Sequence, residues 1–106
     1  MKILFIGSVI FSKKVLEKLI TLNCNIVGVC TLKESSFNSD HVDLAPLCKK
    51  KQILVRYTEN INSSENLKWI KKLKPDIIFC FGWSRLLSQN LLNIPPMGVL
   101  GFHPAA

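Results

Sequence analysis

The sequence predicts a doubly wound α/β domain: an open, Rossmann-like parallel sheet with strand order 3-2-1-4-5 and helices on both faces. Three observations carry this reading. Five short apolar runs, Lys2–Ile6, Ile26–Thr31, Ile53–Tyr57, Asp76–Phe81 and Met97–Phe102, recur along the chain. Their hydrophobicity is near-continuous rather than alternating, the mark of strands buried on both faces. Between them lie segments with helical periodicity, so strand and helix alternate as a parallel sheet requires. The 106 residues contain no repeat, linker or low-complexity tract and suffice for one core, so residues 1–106 read as a single domain.

Lys2–Ile6 closes on Gly7 and forms the first strand. Phe11, Val15, Leu16, Leu19 and Ile20 then recur on one helical face, with Ser8 or Ser12 as the candidate cap and Asn23 as the break. With Ile26–Thr31 these segments make one right-handed βαβ unit. Lys33–Asp40, polar and serine-rich around a lone Phe37, reads as a surface loop. Asp43 caps a helix to about Lys51, with Pro46 tolerated in its first turn. Ile53–Tyr57 is the third strand. Asn62-Ser-Ser-Glu65 has capping-box spacing with Asn62 at the cap. Leu67, Ile70 and Leu73 line the helix that follows, Trp69 flanks them, and Pro75 ends it. Asp76–Phe81 is the fourth strand, Leu86–Leu92 a short helix, and Met97–Phe102 the fifth strand.

Fourteen Lys and Arg against seven acids give a net charge of +7, which favours anionic partners. The lysines gather at Lys49–Lys51 and at Lys71, Lys72 and Lys74, where helices end and cations complement the dipole. No aromatic residues are interleaved with them to stack on bases. The cysteines, Cys24, Cys30, Cys48 and Cys80, show neither CxxC pairing nor metal-ligand spacing. No apolar run reaches the roughly 20 residues of a membrane helix, and the first strand has no cleavage site after it. A cytoplasmic protein with reduced thiols and no membrane contact is expected.

Chemistry points to the carboxyl ends of the fourth and fifth strands, which share the rim where such sheets bind ligands. Gly82-Trp-Ser-Arg85 follows one strand and His103 the other. Trp83 suits either a ligand wall or a cover for the sheet, and Arg85 and Lys33 either an anion contact or solvated positions. The Gly7–Ser12 turn holds one glycine where a dinucleotide fingerprint needs three, so it reads as a tight turn. His103 precedes Pro104 at a strand end, where an imidazole can stabilise an oxyanion or exchange a proton with an amine. The alternative is a satisfied structural histidine.

Met1–Ser8, Phe11, Lys74-Pro-Asp-Ile-Ile78, Phe81-Gly-Trp83, Leu86-Leu87, Pro96-Met-Gly98 and His103-Pro104 together resemble the amino-terminal half of the formyltransferase family, almost end to end. The resemblance implies transfer of a formyl group from 10-formyltetrahydrofolate to a primary amine, on an amino-sugar nucleotide or on methionyl-tRNA. It makes His103 the catalytic residue and assigns the folate to Phe81, Gly82, Trp83, Ser84, Leu86 and Leu87. Gly7, Ser8 and Phe11 become substrate contacts. Two departures stand out. Gly101 occupies the position of the family's Asn, and the family's Asp and Leu-Pro…Arg-Gly stretch fall beyond Ala106. The 106 residues therefore read as an incomplete piece, expected to be inactive by itself and to self-associate through the edge of the fifth strand. A non-catalytic nucleotide- or RNA-binding module, or a degenerate remnant, are the competing readings.

Overall fold

The computed structural model describes residues 1–36 and 38–101. Its parallel strands are β1 (Lys2–Ile6), β2 (Asn25–Thr31), β3 (Val55–Tyr57), β4 (Ile77–Cys80) and β5 (Val99–Leu100), in the order β3-β2-β1-β4-β5. Helices α1 (Ile10–Thr21), α2 (Ala45–Lys50), α3 (Ser64–Leu73) and α4 (Gln89–Leu92) connect them. The predicted class and strand order are those observed. Phe37, in the predicted surface loop, and Phe102, the predicted end of the fifth strand, lie outside the described residues.

β1 is central because its residues are apolar on both faces. Ile6 pairs with Cys30 on one side and Cys80 on the other. Even-numbered positions, Leu4, Ile6, Cys30, Ile78 and Cys80, face α3 and α4 through Leu67, Ile70 and Leu91. Odd-numbered Phe5 and Val29 face α1 and α2 through Leu16, Leu44 and Cys48. Each large apolar side chain buried in these two layers contributes about 1.5–3 kcal/mol. Gly28 on β2 is closely packed: a Cβ there would stand 2.6 Å from Leu73 and 3.1 Å from Trp69, so these side chains would have to shift.

β2 begins one residue earlier than the sequence expectation, β4 is one residue shorter at each end and β5 begins at Val99 rather than Met97; four further differences each have a local reason. β3 begins at Val55 rather than Ile53, because the Ile53 N–H bonds to the Cys48 carbonyl (2.8 Å) and closes α2. α4 begins at Gln89 rather than Leu86, because Ser88 caps it by accepting the Leu91 N–H (3.2 Å). α3 is capped by Ser63, which accepts the Asn66 N–H (3.2 Å), so the cap falls one residue after Asn62. Val9 holds the cap position of α1, and Ser12 lies inside the first turn. Asp43 does hold the start of α2, accepting the Ala45 N–H at 2.8 Å. The lysines also fall as expected, with Lys49 and Lys50 in the last turn of α2 and Lys71 and Lys72 in that of α3. Lys74 ends α3 in a left-handed conformation (φ 49°) ahead of Pro75. Among the described residues no helix is long and apolar enough to cross a membrane.

Candidate active site at the carboxyl rim of the sheet

β1 and β4 are adjacent and parallel, so Gly7 and Gly82 emerge side by side. The Phe81 N–H bonds to the Ile6 carbonyl (2.9 Å) and the Ser8 N–H to the Gly82 carbonyl (3.1 Å), carrying the pairing past both strand ends. Ser12, fully buried, locks this crossing. Its hydroxyl accepts the N–H groups of Ser8 and Val9 (both 3.1 Å) and donates to the Phe81 carbonyl (2.6 Å). A Cβ on Gly7 would overlap the Phe81 carbonyl oxygen, and one on Gly82 would overlap Ser12 Oγ. The glycine of the tight turn is thus needed for close backbone approach, with no phosphate required to explain it.

Residues 82–88 contain no helix or strand, yet their path is fixed from several sides. Trp83 and Leu87 are anchors, 4% and 6% exposed, in the core beneath α3 and α4. Asn38 donates to the Ser84 hydroxyl (3.3 Å), and the Arg85 guanidinium donates to the Glu59 carbonyl. Asn62 donates to the Leu86 carbonyl (3.0 Å) and accepts the Ser88 N–H (2.8 Å). Sequence reasoning missed Ser12 and Asn62, because both resemble ordinary helix-start residues and their partners are far along the chain.

The structure brings together most of the predicted site. Gly7, Ser8, Phe81, Gly82 and Trp83 meet at one rim, and Phe11 lies edge-on to Phe81 with ring centroids 6.1 Å apart. Ser8 is buried, so it meets its surroundings through backbone bonds, while Phe11 (57%) and Leu86 (46%) are exposed. Trp83 covers the sheet from within the core, and its indole N–H has no hydrogen-bond partner among the described residues. Gly101 extends β5 beside the end of β4. His103 lies outside the described residues.

A cleft of about 510 Å³ adjoins this rim, between Leu32, Lys33, Glu34, Tyr57, Glu59 and Arg85. A larger one of about 670 Å³ lies at the opposite end of the sheet, around Lys2, Lys71, Lys74, Asp76 and Asn93. There Asp76 accepts the Lys2 N–H (2.7 Å) and α3 ends, so the lysines complement helix carbonyls already present. The rim, with its ordered loop, is the better candidate. The buried thiols take no part. Burial pushes Cys30, Cys48 and Cys80 up to about 12, so they remain neutral core groups near neutral pH.

The family model described as formyl transferase matches residues 1–106. The chain belongs to the formyltransferase family. It is similar to methionyl-tRNA formyltransferase of Thermotoga maritima, with 28% identity over 99% of this chain and 35% of that protein. A methionyl-tRNA formyltransferase of Staphylococcus epidermidis is 33% identical over 96% of this chain and 34% of its own length. The bifunctional polymyxin resistance protein ArnA of Wigglesworthia glossinidia brevipalpis is 49% identical over 57 residues, 51% of this chain and 8% of that one. This formyltransferase chain therefore spans about a third of the length of the methionyl-tRNA formyltransferases it matches. Among solved structures, a siderophore periplasmic binding protein from Thermobifida fusca aligns with a TM-score of 0.50 at 14% identity, over 96% of this chain and 34% of that one. That likeness concerns the fold alone.

Proposed function

We propose that the carboxyl rim binds 10-formyltetrahydrofolate and that its formyl group passes to a primary amine. One observation carries this: the 82–88 loop is irregular but held by hydrogen bonds at its exit, and it begins two residues after Cys80, the residue against which Gly101 packs, Gly101 itself being two residues before His103 in the sequence. Exposed Leu86 offers apolar surface beside the half-buried backbone of Gly82, which together suit a flat pterin. Phe81, Gly82, Ser84 and Leu86 are its proposed contacts, supported from the core by the buried Trp83 and Leu87, with Gly7, Ser8 and Phe11 bordering the acceptor. In the reaction the amine nitrogen attacks the formyl carbon and the carbonyl oxygen becomes an oxyanion. The bond from carbon to the folate N10 then breaks, and the proton lost by the amine ends on N10. His103 is the proposed donor to the oxyanion. Such a donor acts on the transition state and not on the bound substrate.

Charge and the similarity to named relatives support two acceptor classes. A net charge of +7 suits the phosphates of either a nucleotide sugar or tRNA, and the similarity to methionyl-tRNA formyltransferases supports tRNA. The test is an NMR titration with the stable analogue 5-formyltetrahydrofolate. Saturable shifts should concentrate on the amides of Gly82–Leu87 and Gly101. Saturable shifts confined to the Lys71–Asn93 cleft, or none at millimolar ligand, would overturn the assignment.

Self-association belongs to the same reading. β5 has a sheet neighbour on one side among the described residues, and Met97 (61%) and Leu100 (52%) are exposed along it. Such an edge pairs with other chains. Sedimentation velocity should show mass rising with concentration, and a clean monomer throughout would contradict this.

A further inference from the structure

We propose that Asn62 is the positioning residue of the 82–88 loop, deciding which of its two adjacent leucines is presented at the rim; for ligand binding this rests on the folate reading above. The side-chain amide of Asn62 acts toward the loop as a strand backbone would. It donates to the Leu86 carbonyl at 3.0 Å and accepts the Ser88 N–H at 2.8 Å, spanning Leu87 between them. With both bonds made, Leu87 turns into the core (6% exposed) and Leu86 turns out (46%). Successive side chains in extended backbone point to opposite sides, so a slip of one residue would exchange the two.

Asn62 is free for this role because its own helix does not use it. Ser63 caps α3, and the Ser63 N–H bonds to the Asn60 carbonyl (3.0 Å). Asn66 donates to the same Asn60 carbonyl (2.6 Å), and Ile61 is buried at 1% exposure. The backbone carrying Asn62 is therefore fixed on both sides, and its amide is a rigid reference for the loop. Ser12 fixes the loop's entry at Phe81 and Gly82. Asn62 fixes its exit.

The test uses Asn62→Ala and Asn62→Asp in this chain, read by amide hydrogen exchange without ligand and by calorimetric titration with 5-formyltetrahydrofolate. Asn62 is half-buried and outside the helix, so both variants should stay folded. In Asn62→Ala the Ser88 amide should exchange about tenfold faster, and folate affinity should fall about tenfold, the loss expected for one or two net hydrogen bonds. Asn62→Asp keeps the acceptor for Ser88 and loses the donor to Leu86, so it should retain Ser88 protection and bind with intermediate affinity. Unchanged Ser88 protection in Asn62→Ala would overturn the proposal. So would a loosened loop that binds the folate as tightly as the parent chain. A parent chain that binds no folate would refute the functional reading instead, and Ser88 exchange would then decide by itself whether Asn62 sets the loop.

Discussion

Replacing Gly101 by asparagine, the side chain that the family resemblance places there, is expected to destabilise the protein by about 3–5 kcal/mol. Gly101 has φ 116°, a region that L side chains rarely adopt. A Cβ there would overlap the Cys80 carbonyl oxygen and stand 2.9 Å from the Cys80 carbonyl carbon. That obstacle is backbone, so no side-chain rotation relieves it. β5 would have to move away from β4, disturbing the pairs Ile78 with Val99 and Phe79 with Leu100 and the neighbouring bonds from the Ile78 N–H to Gly98 and the Met97 N–H to Asp76. Formyl transfer should not improve, because the added amide could enter only by moving the strand that leads to His103. An unfolding free energy from urea titration within about 1 kcal/mol of the parent would show that the approach at Cys80 is looser than described.

Gly82→Ala should have the second largest effect, about 2–4 kcal/mol. Gly82 has φ 73°, and its added methyl would overlap both Ser12 Oγ and a methyl of Val9. Ser12 cannot withdraw without abandoning the Val9 N–H or the Phe81 carbonyl. The substitution thus adds backbone strain to a broken buried hydrogen bond, at the point where the proposed folate loop begins. Thermal melting reads the stability loss, and amide exchange at Val9 reads the broken clamp. A variant with the parent's melting temperature and an equally protected Val9 would refute the role given to Ser12.

Much of the fold was legible because burial on both faces leaves a plain trace. The runs at Lys2–Ile6 and Ile26–Thr31 admit few places other than the middle of a parallel sheet. Boundaries set by a single hydrogen bond were less legible. Asn62, Ser63 and Ser64 are all acceptable caps for one helix, and the choice of Ser63 depends on Asn62 being engaged by Leu86 and Ser88, more than twenty residues away. Leu86 and Leu87 fit a helical pattern, but their backbone is held by that asparagine and α4 waits for Ser88. The rim itself could be placed from strand order alone, since adjacent parallel strands end together. Its stitching could not. The hydroxyl of Ser12 looks like a helix cap until β4 brings the Phe81 carbonyl to it from 69 residues on.

The proposed role of His103, three residues after β5 in the sequence, is to stabilise the oxyanion of formyl transfer. It is tested most directly in a chimera carrying this chain in place of the matching third of Thermotoga maritima methionyl-tRNA formyltransferase. Formyl transfer to methionyl-tRNA and affinity for 5-formyltetrahydrofolate are measured with and without His103→Ala. In the variant kcat should fall by about 10²–10³ while folate affinity changes by less than about threefold. A kcat in the variant within about threefold of the parent chimera's, or a chimera that binds the folate and transfers nothing with His103 intact, would contradict it.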